Sequence, residues 1–352
     1  MNLDGTKKGT RRILAGLGVC AAATLGGPSE ASADTFTTRS TDWQAALGWC
    51  NHAGAELHTG DFNRDGREDM LCHDTNNGYK WVALANSQGR FTGTSWEGNL
   101  GWCYHSGAEL HVGDVNRDGR DDMICHDTNN GYKWVSLAKG SGRFTGTDWE
   151  ANLGWCYHEG AELHIGDFNR DDRDDMLCHD TNTGYKWVSL AKGSGRFTGT
   201  DWQANMGWCN HESAQLHVGD FNRDDRDDML CHDTSTGYKW IAYAKGNGTF
   251  SGTDWQAALG WCYHDGAELY IGDFNRDNRD DMLCHDRNNG YKWVALANAQ
   301  GRFTGTSWEA NLGWCHHESG QLHIGDYNGD RRDDMLCHDI DTGYKWIIYS
   351  DL

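Results

Sequence analysis

An all-β ring of six four-stranded blades is predicted by three observations. Twelve cysteines stand at Cys50, Cys72, Cys103, Cys125, Cys156, Cys178, Cys209, Cys231, Cys262, Cys284, Cys315 and Cys337, and their gaps alternate between 22 and 31, an unbroken period of 53 residues. Each period holds four short strand-like segments separated by Gly, Asn and Asp turns, and none sustains the apolar period of a helix. The last unit stops at YKWIIYSDL without its fourth segment, while a spare one, FTTRSTDW (36–43), precedes the first complete unit. Four strands in about 50 residues is the pattern of a propeller blade. A strand from one end completing the blade at the other closes the ring and removes exposed sheet edges.

Residues 1–33 read as a secretory signal peptide. Lys7, Lys8, Arg11 and Arg12 form a basic start, ILAGLGVCAAATLGG is a short apolar run, and Ala31-Ser32-Ala33 offers a cleavage site before Asp34. The Arg11-Arg12 pair is compatible with a twin-arginine route. The apolar run is too short for a stable membrane span. Cleavage removes four basic and two acidic residues, so the formal charge of −21 becomes −23. Such acidity excludes nucleic acid as a partner, because its phosphates would be repelled. Six units of 53 residues account for 318 of the 319 that follow, so residues 34–352 form one domain with no separate catalytic one.

Within a unit, ELHIGDF is the first strand, an acidic loop turns into DDMLCHD, NNG turns into YKWVALA, and a Gly-rich turn leads to RFTGTDW. The acidic loop places oxygen donors at alternate positions: Asp61, Asn63, Asp65 and Asp69, with the carbonyl of Arg67 between the last two. Calcium is a hard cation that takes six to eight such oxygens. The set recurs as Asp114, Asn116, Asp118, Arg120 and Asp122, then as Asp167, Asn169, Asp171, Arg173 and Asp175. The fourth unit supplies Asp220, Asn222, Asp224, Arg226 and Asp228, the fifth Asp273, Asn275, Asp277, Arg279 and Asp281, and the sixth Asp326, Asn328, Asp330, Arg332 and Asp334. An EF-hand is excluded, because its twelfth position would be Cys72 and the flanks are strands. The sixth position runs Gly66, Gly119, Asp172, Asp225, Asn278 and Arg331. The first five tolerate a left-handed backbone and Arg331 is expected not to.

The repeated stretch, as in GDVNRDGRDDM (113–123), resembles the FG-GAP/VCBS repeat, the calcium-loop blade of integrin α-subunit propellers and of several secreted propeller lectins. The resemblance spans all six units. It implies about one structural Ca²⁺ per blade, bracing the first hairpin, and fixes no single activity.

Twelve cysteines in an exported chain read as disulfides. The second cysteine of a unit ends strand two and the first lies in the link entering strand one, so pairing within a unit, such as Cys50 with Cys72, is favoured over pairing between units. A Cys50/His52/Cys72/His73 zinc site is the rival, but neighbours Cys72 and His73 on a strand point to opposite faces. The end opposite the calcium loops collects Trp49, His52, His73, Asp74, Asn76, Tyr79 and Lys80. Flat aromatic faces flanked by hydrogen-bonding groups suit sugars, so these are candidate glycan contacts. Their equivalents are Trp102, His105, His126, Asp127 and Tyr132, then Trp155, His158, His179, Asp180 and Tyr185. The later units give Trp208, His211, His232, Asp233 and Tyr238, then Trp261, His264, His285, Asp286 and Tyr291, then Trp314, His317, His338, Asp339 and Tyr344. The Trp43, Trp96, Trp149, Trp202, Trp255 and Trp308 series is assigned to packing between blades. The Trp49 series is divided between packing and ligand. His58, His111, His164, His217 and His323, with Tyr270 in the fifth unit, are assigned to a central channel.

A secreted, calcium-stabilised, multivalent carbohydrate-binding ring, monomeric and not an enzyme, is the function these residues point to. Six near-identical sites favour avidity over catalysis, and no Ser or Cys nucleophile stands with the His–Asp pairs. A protein-binding adhesion or targeting module, as one part of a larger secreted assembly, is the alternative.

Overall fold

The computed structural model describes residues 41–352. The leader read over 1–33 and the start of the 36–43 segment lie outside the described residues. Six four-stranded antiparallel sheets follow one another around a ring. In blade one the strands are Ala55–Gly60, Asp69–Asp74, Tyr79–Ala83 and Trp96–Asn99, from the axis outward. Inner strands of consecutive blades are neighbours, and the inner strands of blades one and six also meet. The sixth sheet is closed by Trp43–Ala46, which pairs antiparallel with Tyr344–Ile348 and so supplies the outer strand missing from the C-terminal end.

The outer strand differs from the expected RFTGTDW. Pairing begins at Trp96 opposite Val82 and runs on to Asn99 opposite Tyr79. The RFTGT segment instead tucks Phe91 into the core and turns at Gly93, whose φ of 118° takes it out of extended backbone.

The core lies between the blades. Side chains of a strand alternate between faces, and every residue of Asp69–Asp74 is buried because both of its faces are covered. Leu71 and Val82 pack against Trp102, Leu110 and Met123 of blade two, while Met70 and Cys72 pack backward against Tyr327, Leu336 and Ile347 of blade six. Each such side chain contributes about 1.5–3 kcal/mol by leaving water.

Disulfides join Cys50–Cys72, Cys103–Cys125, Cys156–Cys178, Cys209–Cys231, Cys262–Cys284 and Cys315–Cys337, all at a separation of 22 residues. The bridges are within blades, and the Cys/His zinc arrangement is thereby excluded. Closing a loop of this length contributes about 3 kcal/mol in the chain-entropy description.

Two further sets of ties hold blade to blade. On the disulfide side, Lys80 is fully buried and its Nζ donates to the carbonyl of Trp102 in the next blade at 2.8 Å and to Gly78 at 3.2 Å. The same bond runs from Lys133 to Trp155, Lys186 to Trp208, Lys239 to Trp261 and Lys292 to Trp314, and Lys345 to Trp49 closes the ring. Each ammonium also stands 5.6–5.7 Å from the centroid of that indole. On the acidic-loop side, Asp121 Oδ2 accepts from the backbone N–H of Asp61 in the preceding blade at 2.7 Å. Asp174, Asp227, Asp280 and Asp333 repeat that contact. At the closing seam Glu68 stands in this position, and its backbone N–H donates to the carbonyl of Asp326.

Candidate functional site

The acidic loops are wound around their first aspartate. Asp61 Oδ1 accepts from the N–H groups of Asn63, Arg64 and Asp65, and Oδ2 from Gly66. Asp69 lies at the floor, fully buried. Its Oδ1 takes the Ala85 N–H, and its Oδ2 takes the Phe62 N–H and the Asn63 side-chain amide. Burial pushes its carboxyl up to about 8, with the charges of Asp65 and Asp61 adding to the effect against bonds that lower it. Asp122, Asp175 and Asp281 are likewise raised to about 8 and Asp228 to about 9. The Arg67 guanidinium leans on Asp65 from the side, as Arg120 does on Asp118 at 2.7 Å. Three carboxylates, one of them buried at the floor, with an amide oxygen and a peptide carbonyl fit a hard divalent cation, whose charge would relieve that repulsion.

The sixth loop corrects one expectation. Arg331 does adopt the left-handed backbone, at φ 70°, and donates its N–H to Asp326 Oδ2 at 2.7 Å. Each loop needs two such residues. In the first five an arginine takes the fourth position, as Arg64 does, whereas the sixth has Gly329 there. The glycine has moved two places, so the loop keeps its shape.

On the opposite face the candidates separate. The Trp49 series is only 7–9% exposed. Each indole Nε1 donates to a threonine, Trp49 to Thr94 at 3.0 Å, and a buried lysine stands over the ring. Trp49, Trp102, Trp155, Trp208, Trp261 and Trp314 are therefore packing groups, with no indole face open to a sugar. His73, His126, His179, His232, His285 and His338 are at most 1% exposed. Cross-strand pairing of His73 with Glu56 puts it beside the channel rather than on the outer face. Asp74 is 5% exposed and organises the turn that follows it, accepting from Asn76 and Asn77.

What stays accessible is a stack. His52 is exposed, 3.4 Å from Asp74, and its ring meets Trp81 edge-on at 5.5 Å. Tyr79 lies against the same Trp81 at 4.4 Å. The arrangement recurs with Trp134, Trp187, Trp240, Trp293 and Trp346. These indoles were not among the sequence candidates. The signal lay in the YKW triplet: alternation puts Tyr79 and Trp81 on one face and Lys80 on the other. Tyr104, Tyr157 and Tyr263 add exposed rings at 47–48%. A cavity of about 490 Å³ opens between blades three and four, lined by Thr181, Asn182, Asn210, His211 and Glu212 among others.

The sequence matches the FG-GAP-like repeat family over residues 61–125, 114–178 and 273–337. More than half of the chain is covered, and the protein belongs to that family; with six blades it is an FG-GAP repeat β-propeller. No curated protein matches the sequence. Among solved structures, it is similar to an Agrocybe aegerita lectin described as recognising non-reducing terminal N-acetylglucosamine. The TM-score is 0.59 at 16% identity, covering 85% of this chain and 81% of that one. It is also similar to part of the Photorhabdus luminescens Tc holotoxin pore, with a TM-score of 0.56 at 14% identity, covering 87% of this chain and 14% of that one. A TcdB2–TccC3 structure matches with a TM-score of 0.51 at 13% identity, over 91% of this chain and 16% of that one. At these identities the likeness is one of fold.

Proposed function

We propose that the protein is a secreted, multivalent carbohydrate-binding ring in which calcium in the acidic loops is structural. The observation that carries this reading is the repeated accessible stack of His52, Tyr79 and Trp81 beside a polar turn. Between blades three and four the neighbouring turns frame a concave space of a size suited to a sugar. Ring faces for C–H stacking and amide or imidazole groups for hydroxyls are what a pyranose requires. The stack carries no nucleophile, and six copies of one platform favour avidity, so the reading is of a binder and not an enzyme. Six disulfides point to an oxidising compartment, in keeping with removal of a leader at 1–33. The lectin likeness supports the reading.

A glycan array probed with the full chain, with calcium and after chelation, tests it. Binding is expected with calcium and is expected to fall when Trp240→Ala and His211→Ala are combined; an array without any bound glycan in calcium would sink the proposal. The second reading, a protein-binding module, is favoured by the toxin complexes, where the matching portion is a small part of a much longer chain. Capture of one stoichiometric protein partner without any glycan binding would favour it.

A further inference from the structure

The channel wall carries a repeated cluster of glutamate and histidine side chains. On the inner strand of blade one, Glu56 and His58 are two residues apart and share a face, and His73 of the second strand pairs directly opposite Glu56. Glu56 Oε2 stands 3.8 Å from His58 Nε2 and 3.6 Å from His73 Nδ1. The three atoms all lie within 4.8 Å of one another. The second and third blades repeat this with Glu109, His111 and His126 and with Glu162, His164 and His179, at 3.5–3.7 Å from each carboxylate oxygen to its two ring nitrogens.

His73 is 1% exposed, yet neither of its ring nitrogens has a hydrogen-bond partner, and the same is true of His126, His179 and the inner-strand Nε2 of His58, His111 and His164. A buried imidazole without a partner is costly. Blades four and six share it at His217, His232, His323 and His338, and what sets blades one to three apart is the carboxylate placed among the rings. We propose that blades one to three each hold a divalent transition ion of the zinc type, bound by the two histidines and the glutamate, with a fourth position open to the channel. Ligand atoms on a tetrahedral zinc at about 2.0–2.1 Å lie roughly 3.4 Å apart, so the carboxylate-to-imidazole spacings need to close by only a few tenths of an ångström, while the two ring nitrogens, within 4.8 Å of each other, have further to move. Two imidazoles and one carboxylate select a borderline ion over calcium.

The other three blades serve as internal controls. Gln215 and Gln321 replace the glutamate in blades four and six, and in blade five Tyr270 replaces the inner histidine. There the Tyr270 hydroxyl donates to Glu268 Oε2 at 2.7 Å and Arg287 takes Oε1 at 3.2 Å, so the carboxylate is already satisfied. His285 Nε2 lies 2.8 Å from the Cys315 carbonyl, a contact of the kind that leaves Nδ1 free for a metal. A cavity of about 370 Å³, lined by Glu162, His217 and Tyr270 among others, gives an ion room to enter beside the third triad.

The test is equilibrium dialysis of the tag-free full chain against Zn²⁺ in saturating calcium, read by elemental analysis and thermal unfolding. Three zinc ions per chain are expected, one for each triad. Glu56→Gln, Glu109→Gln and Glu162→Gln together are expected to remove all three. Gln215→Glu, which completes the blade-four triad with His217 and His232, is expected to raise the count by one. Failure of the wild-type chain to retain zinc, or an unchanged count in either variant, overturns the proposal. The gain-of-site variant decides the matter even if the triple variant does not fold.

Discussion

The two ends of each blade are joined to their neighbours by opposite charges. At one end buried aspartates accept backbone N–H groups from the preceding blade, in loops already dense with carboxylates. At the other, buried lysines donate to the carbonyls of the next blade, beside a disulfide. At the lysine end the chain itself supplies each ammonium with two carbonyls and an indole face, against the burial that lowers Lys80 to about 7. At the acidic end burial and the neighbouring carboxylates raise the carboxyls together. One end gathers partners around a single charge, and the other crowds like charges in a geometry that fits a cation.

The largest expected effect lies at the acidic end. Asp175→Ala strips the partner from the Ala191 and Phe168 N–H groups and the Asn169 amide, and should cost about 3–4 kcal/mol in urea unfolding with calcium present. A loss below about 1 kcal/mol would show that the loop is not a staple. Next, Cys156→Ser with Cys178→Ser should cost about 3 kcal/mol, with the same loss in calcium and in chelator because the bridge sits at the other end. Lys186→Met is expected to cost about 1–3 kcal/mol, since the Trp208 and Gly184 carbonyls lose their donor; a neutral result would mean that the lysine's own burial offsets its bonds.

The pH dependence separates the ends by sign. In chelator, Asp69 at about 8 against an ordinary 3.8 holds its proton more tightly when folded. Its stabilising share is therefore whole below about pH 4 and lost as pH rises through about 8. Lys80 at about 7 against 10.5 gives up its proton more easily when folded, so stability climbs as pH rises from about 7 to about 10.5. Calcium should erase the first trend and leave the second, which thermal unfolding across pH reads directly. The smallest stability effect is expected of His211→Ala, below about 0.5 kcal/mol for an exposed side chain, with its consequence confined to ligand binding.

Much of this architecture was legible as repetition. The cysteine period set the blade, the missing and spare strands set the closure, and the pairing of the first two strands favoured Cys50 with Cys72. Burial was harder to read. Trp49 adjoins a loop in sequence, yet the lysine of the neighbouring blade covers it, and that contact runs from residue 345 to residue 49. Lys80 reads as an exposed cation and is wholly enclosed. The second acid of the DD doublet was legible as an inward-facing loop residue; the first, as in Asp121, was not legible as a tie, because its partner belongs to another unit. The fourth strand was misplaced for a similar reason: Phe91 extends the apolar pattern backward, but it fills the core from a bent segment.

The closing strand has a consequence for the order of assembly. Every disulfide spans 22 residues and every hairpin is local, so each blade can acquire its internal contacts as soon as its own segment is available. The pairing of Trp43 with Ile347 spans nearly the whole described chain. Such a distant contact carries the largest loop-closure cost and forms late. Until then the first strand and the last blade present unpaired edges, and a second chain in the same state offers the matching edge. Dilution or a slowed supply of new chains should therefore favour closed rings over swapped oligomers.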